Sequence, residues 1–211
     1  GVADRRHAIG PARILAQPAP NLLIGSVVLV SVCGWLIKPL QQALVLWPYR
    51  VKKRGEVHRL LTAGWVHADV MHLAFNMITL WFFAEKVTSA LGVTRFLILY
   101  VSAVVAGFIP TTLRHMNDPG YGSVGASGAV AVVMFSAVLL FPGIKLMLFF
   151  VPVPVSGIVF AVVYLAYSAW NSFGGRDRVN HGAHFTGAVY GALLTYLFEP
   201  SRVERTIRHL L

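Results

Sequence analysis

Three stretches of this sequence set polar side chains into otherwise apolar runs, and each holds a group capable of chemistry. VHADVMHLAFNM (66–77) carries His67, His72 and Asn76. GYGSVGASGAVAVVM (120–134) carries Ser127 among Gly125, Ala126 and Gly128. VNHGAHFTGAVYG (179–191) carries His181, His184 and Gly187. A serine hydroxyl is a weak nucleophile until a base takes its proton, and neutral imidazole is the usual base near neutral pH. When such a hydroxyl adds to a carbonyl, the new oxyanion needs donors already in place, each worth about 3 kcal/mol in the barrier. A serine, histidines and an asparagine can meet these needs between them.

The spacings give these residues shared faces. His72 and Asn76 are four apart on one helix face, with His67 just ahead of that helix. Gly125, Ser127 and Gly128 bring the hydroxyl to a helix start, where first-turn amides and the helix dipole favour a negative oxygen. His184, Gly187 and Gly191 form one stripe, and the two glycines let a second backbone come close. Gly128 and Ala131, flanking Ser127, are the small residues expected to face that stripe. Each stretch alone has a plainer account, as interior polar glue between helices or as an N-cap serine. Their joint presence argues for chemistry. No Asp or Glu stands near His184 within a span, and Glu85 and Glu199 belong to opposite helix ends. A Ser127–His184 dyad without a third acidic member is expected.

The elements that must position these groups are membrane helices. Of 211 residues, 56% are hydrophobic and only 12% charged, against about 25% charged in soluble domains. At about 20 apolar residues per crossing, six spans use up the chain: Pro20–Ile37, Val70–Thr88, Phe96–Leu113, Ser127–Phe141, Lys145–Asn171 and His181–Phe198. VPVPVSG interrupts the fifth, which either carries those prolines or starts late, near Val155, after a short re-entrant piece. The connection Lys38–Val66 holds an amphipathic aromatic stretch and then a basic one, a pattern for lying in the membrane interface. The expected architecture is all-α: a six-helix membrane domain over 20–200, flanked by a basic segment, 1–19, and a basic amphipathic tail, 201–211. The second, fourth and sixth spans then run parallel, so the starts bearing His72, Ser127 and His184 share one side of the membrane.

Charge excludes some classes and leaves others open. The formal net charge is +10, yet Lys and Arg flank the spans and face headgroups. No basic stretch is interleaved with aromatics in a soluble module, so nucleic acid is not an expected partner. With both termini inside, inner and outer segments carry equal numbers of Lys and Arg, and the positive-inside bias does not orient the chain. Cys33, the single cysteine, rules out an intrachain disulfide and a Cys-based zinc site. His67, His72, His181 and His184 as a metal or proton path would make a transporter, but no carboxylate joins them and no HExxH motif is present. No metal and no cofactor are expected. Beginning with Gly1, the chain reads as a processed or trimmed product with a segment upstream. A multi-pass protein of a bacterial inner membrane is the expected location, with the lipid bilayer as an obligatory partner. The sequence does not address oligomeric state.

In this order and on these spans, three motifs resemble the rhomboid family of intramembrane serine proteases. They are His67-x4-His72-x3-Asn76, Gly125-Ala126-Ser127-Gly128 and Ala183-His184-x2-Gly187, and the likeness covers about residues 20–200. The resemblance implies a rhomboid-like six-helix bundle with a partly embedded first loop and a water-filled cavity below the outer surface. It implies Ser127 as nucleophile, His184 as general base, and His72, Asn76 and the Ser127 amide as the oxyanion hole. It makes His67, Gly125, Ala126, Gly128, His181 and Gly187 supporting or cavity-lining. It implies a cytosolic N-terminus and a mobile fifth span where substrate helices enter. The implied substrates are single-span membrane proteins with a helix-unwinding stretch and a small residue before the cut. The chain departs from many relatives in carrying His58-Arg59 for Trp-Arg, Ala131 for an aromatic, and His181 where asparagine is frequent.

Overall fold

The structure is a computed structural model that describes residues 18–148, 151–163, 166 and 181–210, without the side chains of 147, 148, 151–153, 181–185, 209 and 210. Most of the expected basic segment 1–19, the end of the fifth span and the loop 173–180 lie outside the described residues.

Helix α1 (Pro18–Leu36) contains no charged residue, and its buried positions, Pro20, Leu23, Val27, Ser31 and Gly34, recur every three or four residues as one inward stripe. Its outer face is equally apolar and bare, with Leu22 72% and Leu36 79% exposed. Helix α6 (Val93–His115) repeats the inward stripe and apolar outer face, with Arg95 and Arg114 near its ends, and both helices are long and apolar enough to cross a bilayer. Helix α5 (Val70–Leu91) is of similar length and presents Trp81 and Phe82 outward, though it also carries His72, Asn76, Glu85 and Lys86. Apolar side chains turned outward on helices of bilayer length suit lipid rather than water. The protein is a membrane protein.

At the centre stands α7 (Ser127–Leu140), packed against α5, α6 and α9 (His181–Phe198) and almost entirely buried. Its 14 residues rise about 21 Å, against about 30 Å of hydrocarbon. Helix α10 (Pro200–Leu210) closes the far end: Val203 and Thr206 are buried, and Thr206 Oγ1 donates to the Leu139 carbonyl at 2.8 Å. That bond satisfies one of the carbonyls a helix end leaves without a partner.

The first loop folds into α2 (Lys38–Leu44), α3 (Pro48–Arg54), α4 (Arg59–Thr62) and a 3-10 turn, Ala63–Trp65. Pro39 and Pro48 open α2 and α3, where a missing N–H does no harm. Gly55, at φ 67°, ends α3. Arg59 is buried beneath the loop and holds it, donating to the Gln42 carbonyl at 2.8 Å and the Val45 carbonyl at 2.7 Å while pairing with Glu56. That hydrogen bond keeps the Glu56 carboxyl below its ordinary range.

One expectation is corrected. The fifth span does not begin at Lys145. Residues Lys145–Leu148 (β1) and Val151–Ser156 (β2) form an antiparallel pair with Lys145 opposite Ser156 and Leu148 opposite Val151. Pro152 and Pro154 lack the N–H a helix interior needs, and the β-branched Val151, Val153 and Val155 that alternate with them favour extended backbone. Helix resumes at 157, as α8 (residues 157–163). This start is close to the late one near Val155.

Candidate active site

Ser127 is the first residue of α7, and the turn before it is held from three directions. Leu46 and Ser123 exchange backbone bonds of 3.1 and 3.0 Å, joining the first loop to this turn. The Gly125 amide donates to the Ala63 carbonyl at 2.9 Å. The Ala126 amide donates to His67 Nε2 at 3.3 Å. Gly125 adopts φ +114°, which L side chains avoid, and a Cβ there would lie 2.5 Å from His72 Cε1. The glycine therefore gives the chain its sharp entry to α7 and leaves space for the His72 ring.

Asp69 caps α5, its carboxylate accepting the His72 amide at 2.8 Å, so the helix starts where His72 falls in its first turn. One helical turn on, buried Asn76 donates through Nδ2 to the His72 carbonyl at 3.0 Å. This bond uses one of the two protons on the Asn76 amide nitrogen and fixes how the group is presented. His67 sits outside the helix, fully buried, 5.0 Å edge-on from the His72 ring. Burial, reinforced by the nearby His72 and opposed by Asp69, pushes its imidazole down to about 3. It is therefore neutral at physiological pH.

The stripe on α9 makes the close approach its glycines permit. A Cβ on Gly187 would lie 2.7 Å from the Gly128 carbonyl oxygen, and one on Gly191 would lie 3.0 Å from Val132 Cα. Further along, Ser136 Oγ and Thr195 Oγ1 are 2.6 Å apart. Gly128, Val132 and Ser136 thus meet Gly187, Gly191 and Thr195 in turn. The partner met by Gly191 is Val132, the residue after Ala131. The pairs advance together, so α7 and α9 run parallel. Continuing this register one turn toward the helix starts brings the backbone at position 184 level with Gly125, beside the turn that carries Ser127. The side chains of His181 and His184 lie outside the described residues.

A small recess adjoins the serine, between Val104, Gly107 and Phe108 of α6 and the segment 123–129. Sequence reasoning overlooked three contributors: Ser31 and Trp35 of α1, and Asp69. Ser31 is only 1% exposed within an apolar helix. The signal that singled out the other stretches, a polar side chain in an apolar run, also marks it. Asp69 stands before an apolar run as helix-starting residues do.

The sequence pattern of the Rhomboid domain matches residues 54–201 of the chain. Among curated proteins, it is 33% identical over 157 residues to Rhomboid protein 1, mitochondrial, of Saccharomyces cerevisiae, covering 69% of this chain and 44% of that protein. It is 28% identical to RHOMBOID-like protein 12, mitochondrial, of Arabidopsis thaliana, covering 67% and 46%. It is 27% identical to Presenilin-associated rhomboid-like protein A, mitochondrial, of Danio rerio, covering 77% and 43%. The chain spans less than half the length of these relatives. All three are named as mitochondrial, so they lend no support to a bacterial inner membrane.

Proposed function

Because the chain belongs to the rhomboid family, we propose that it is an intramembrane serine endopeptidase that cuts single-span membrane proteins within or near their membrane segment. Residues 20–200 form its six-helix membrane domain with a partly embedded first loop, between the flanks 1–19 and 201–211. Ser127 is the nucleophile and His184 the general base. His72, Asn76 and the Ser127 amide receive the oxyanion. Gly125, Ala126, Gly128 and Gly187 shape the turn and the seam, while His67 and His181 support or line the cavity.

The observation that carries this reading is a short α7 starting at Ser127 and pressed backbone to backbone on α9 at Gly128 and Gly187. A helix about 9 Å short of the bilayer core leaves its first residue below the membrane surface when its other end is at the interface. That depth suits hydrolysis of a membrane-embedded bond, provided water enters from one side. In the reaction, Ser127 Oγ adds to the scissile carbonyl as His184 takes the hydroxyl proton. The tetrahedral oxyanion collapses, the C–N bond breaks, and His184 returns the proton to the leaving amine. Water then adds to the acyl-serine with His184 again as base, releasing the new carboxyl end and restoring the hydroxyl.

A fluorophosphonate probe is expected to label Ser127 covalently, with no labelling in Ser127→Ala and strongly reduced labelling in His184→Ala. The purified protein in detergent is expected to cut members of a single-span substrate panel in or near the span, as mapped by mass spectrometry. An unlabelled wild type that cuts nothing would instead leave a family member that binds membrane clients without cleaving them.

A further inference from the structure

His67 touches both walls of the candidate oxyanion site. Its buried ring meets the Ala126 amide through Nε2 at 3.3 Å, Ser31 Oγ through Nδ1 at 3.0 Å, and the His72 ring edge-on. A neutral imidazole has one donor and one acceptor. The Ala126 amide only donates, so Nε2 accepts and Nδ1 carries the ring proton. Ser31 donates its own proton to the Trp65 carbonyl at 2.9 Å, leaving a lone pair for Nδ1–H. The chain of bonds therefore runs from Ala126 to His67 to Ser31 to Trp65. The opposite tautomer would set two donors face to face in a buried site, where an unmet polar group is costly. Trp35 Nε1 donates to the His67 carbonyl at 2.8 Å, so α1 grips this residue at its backbone as well.

Both ring nitrogens are thus engaged, and burial keeps the imidazole from taking up a proton near neutral pH. His67 is poorly suited to acid–base work. We propose that His67, as the Nδ1–H tautomer, is a positioning residue that ties α1 to the turn before Ser127 and claims the Ala126 amide, excluding it from the oxyanion donors. The Gly125 amide is anchored on Ala63 and the Ala126 amide on His67. The two peptides preceding the Ser127 amide are therefore fixed, and with them the direction in which it points.

The inference rests on the protease reading, and the two fail differently. Wild type, His67→Gln and His67→Asn are compared by the rate of fluorophosphonate labelling at Ser127 over a range of probe concentrations. Glutamine reaches as far as Nε2 and supplies an acceptor for Ala126, whereas asparagine reaches only as far as Nδ1. The expected result is a maximal labelling rate within a few-fold of wild type for His67→Gln. His67→Asn is expected to fall roughly ten- to hundred-fold, as small misplacements of reacting groups do. Half-saturating probe concentrations and unfolding temperatures should be similar in the two variants. Equal rates in the two variants, or losses that follow unfolding temperature, would overturn the positioning role. An unlabelled wild type would instead overturn the protease reading. The tautomer is read without activity, from the ring 15N resonances of His67 in the full chain. A protonated Nδ1 and a bare Nε2 are expected between about pH 6 and 8, and a protonated Nε2 would refute the assignment.

Discussion

At the seam between α5 and α7 a missing side chain makes room for an imidazole, whereas at the seam between α7 and α9 it makes room for a backbone. Gly125 yields its space to the His72 ring. Gly187 yields its space to the Gly128 carbonyl. A ring can rotate away from an intruding methyl group, but a helix backbone yields only if the whole helix shifts. The first seam is adjustable and polar, and the second is rigid and made of small residues. Ser127 lies where they converge, so one seam governs what surrounds the hydroxyl and the other governs how far α9 stands from it.

That contrast orders the expected effects of substitution. Gly187→Ala should be the most damaging, because its methyl meets carbonyl oxygen at 2.7 Å. Overpacking of this kind costs about 1–3 kcal/mol, and a displaced α9 should slow Ser127 labelling by about 100-fold or more. Labelling kinetics and unfolding in detergent measure both effects, and a near-normal Gly187→Ala would break the distinction between the seams. Gly125→Ala should slow labelling roughly 10- to 100-fold. Part of its instability comes from the positive φ, which costs about 1–3 kcal/mol. Adding His72→Ala should relieve the remainder without restoring labelling, a rescue that no partner substitution should offer at Gly187.

Acid should loosen the α5 side selectively. The His67 imidazole is held at about 3, below its ordinary value of 6.5. Between those values the unfolded chain binds the proton and the folded chain does not. Its contribution to stability is therefore complete above pH 6.5 and falls as the pH drops toward 3, by up to about 1.4 kcal/mol per unit. Unfolding of wild type and His67→Gln across that range should show a shallower slope in the variant. Smallest of all, Ser136→Ala and Thr195→Ala should couple by about 0.6 kcal/mol in a double-mutant cycle and leave labelling unchanged, since both lie well along the α7–α9 seam from Ser127.

Much of the arrangement was readable from local pattern. Helix α7, the expected fourth span, starts at Ser127 as expected, because glycines and a polar turn give way there to an unbroken apolar run. The Gly187 and Gly191 stripe does meet α7. Where Lys145 stands, apolar composition alone suggested a span, but alternating proline and valine at 151–155 make extended backbone. The strand pairing of that stretch depends on a partner that composition does not reveal. Ser31 escaped notice because a lone serine in an apolar helix is ordinary until its neighbours are known. Asn76 was read as an oxyanion donor, and its bond back to the His72 carbonyl, which orients it, is a matter of rotamer rather than spacing.

By itself, the sequence determined that this chain lives in a membrane, the order in which its chemically capable groups arrive, and the helix start on which the serine sits. Those properties follow from composition and short-range periodicity. Only the tertiary structure decided that residues 31, 67 and 126 share one line of hydrogen bonds, that Gly191 of α9 meets Val132 of α7, and that Arg59 fastens the first loop from below. Each of these joins parts of the chain far apart in sequence, at distances set by packing of the whole bundle, and no local spacing encodes such a distance.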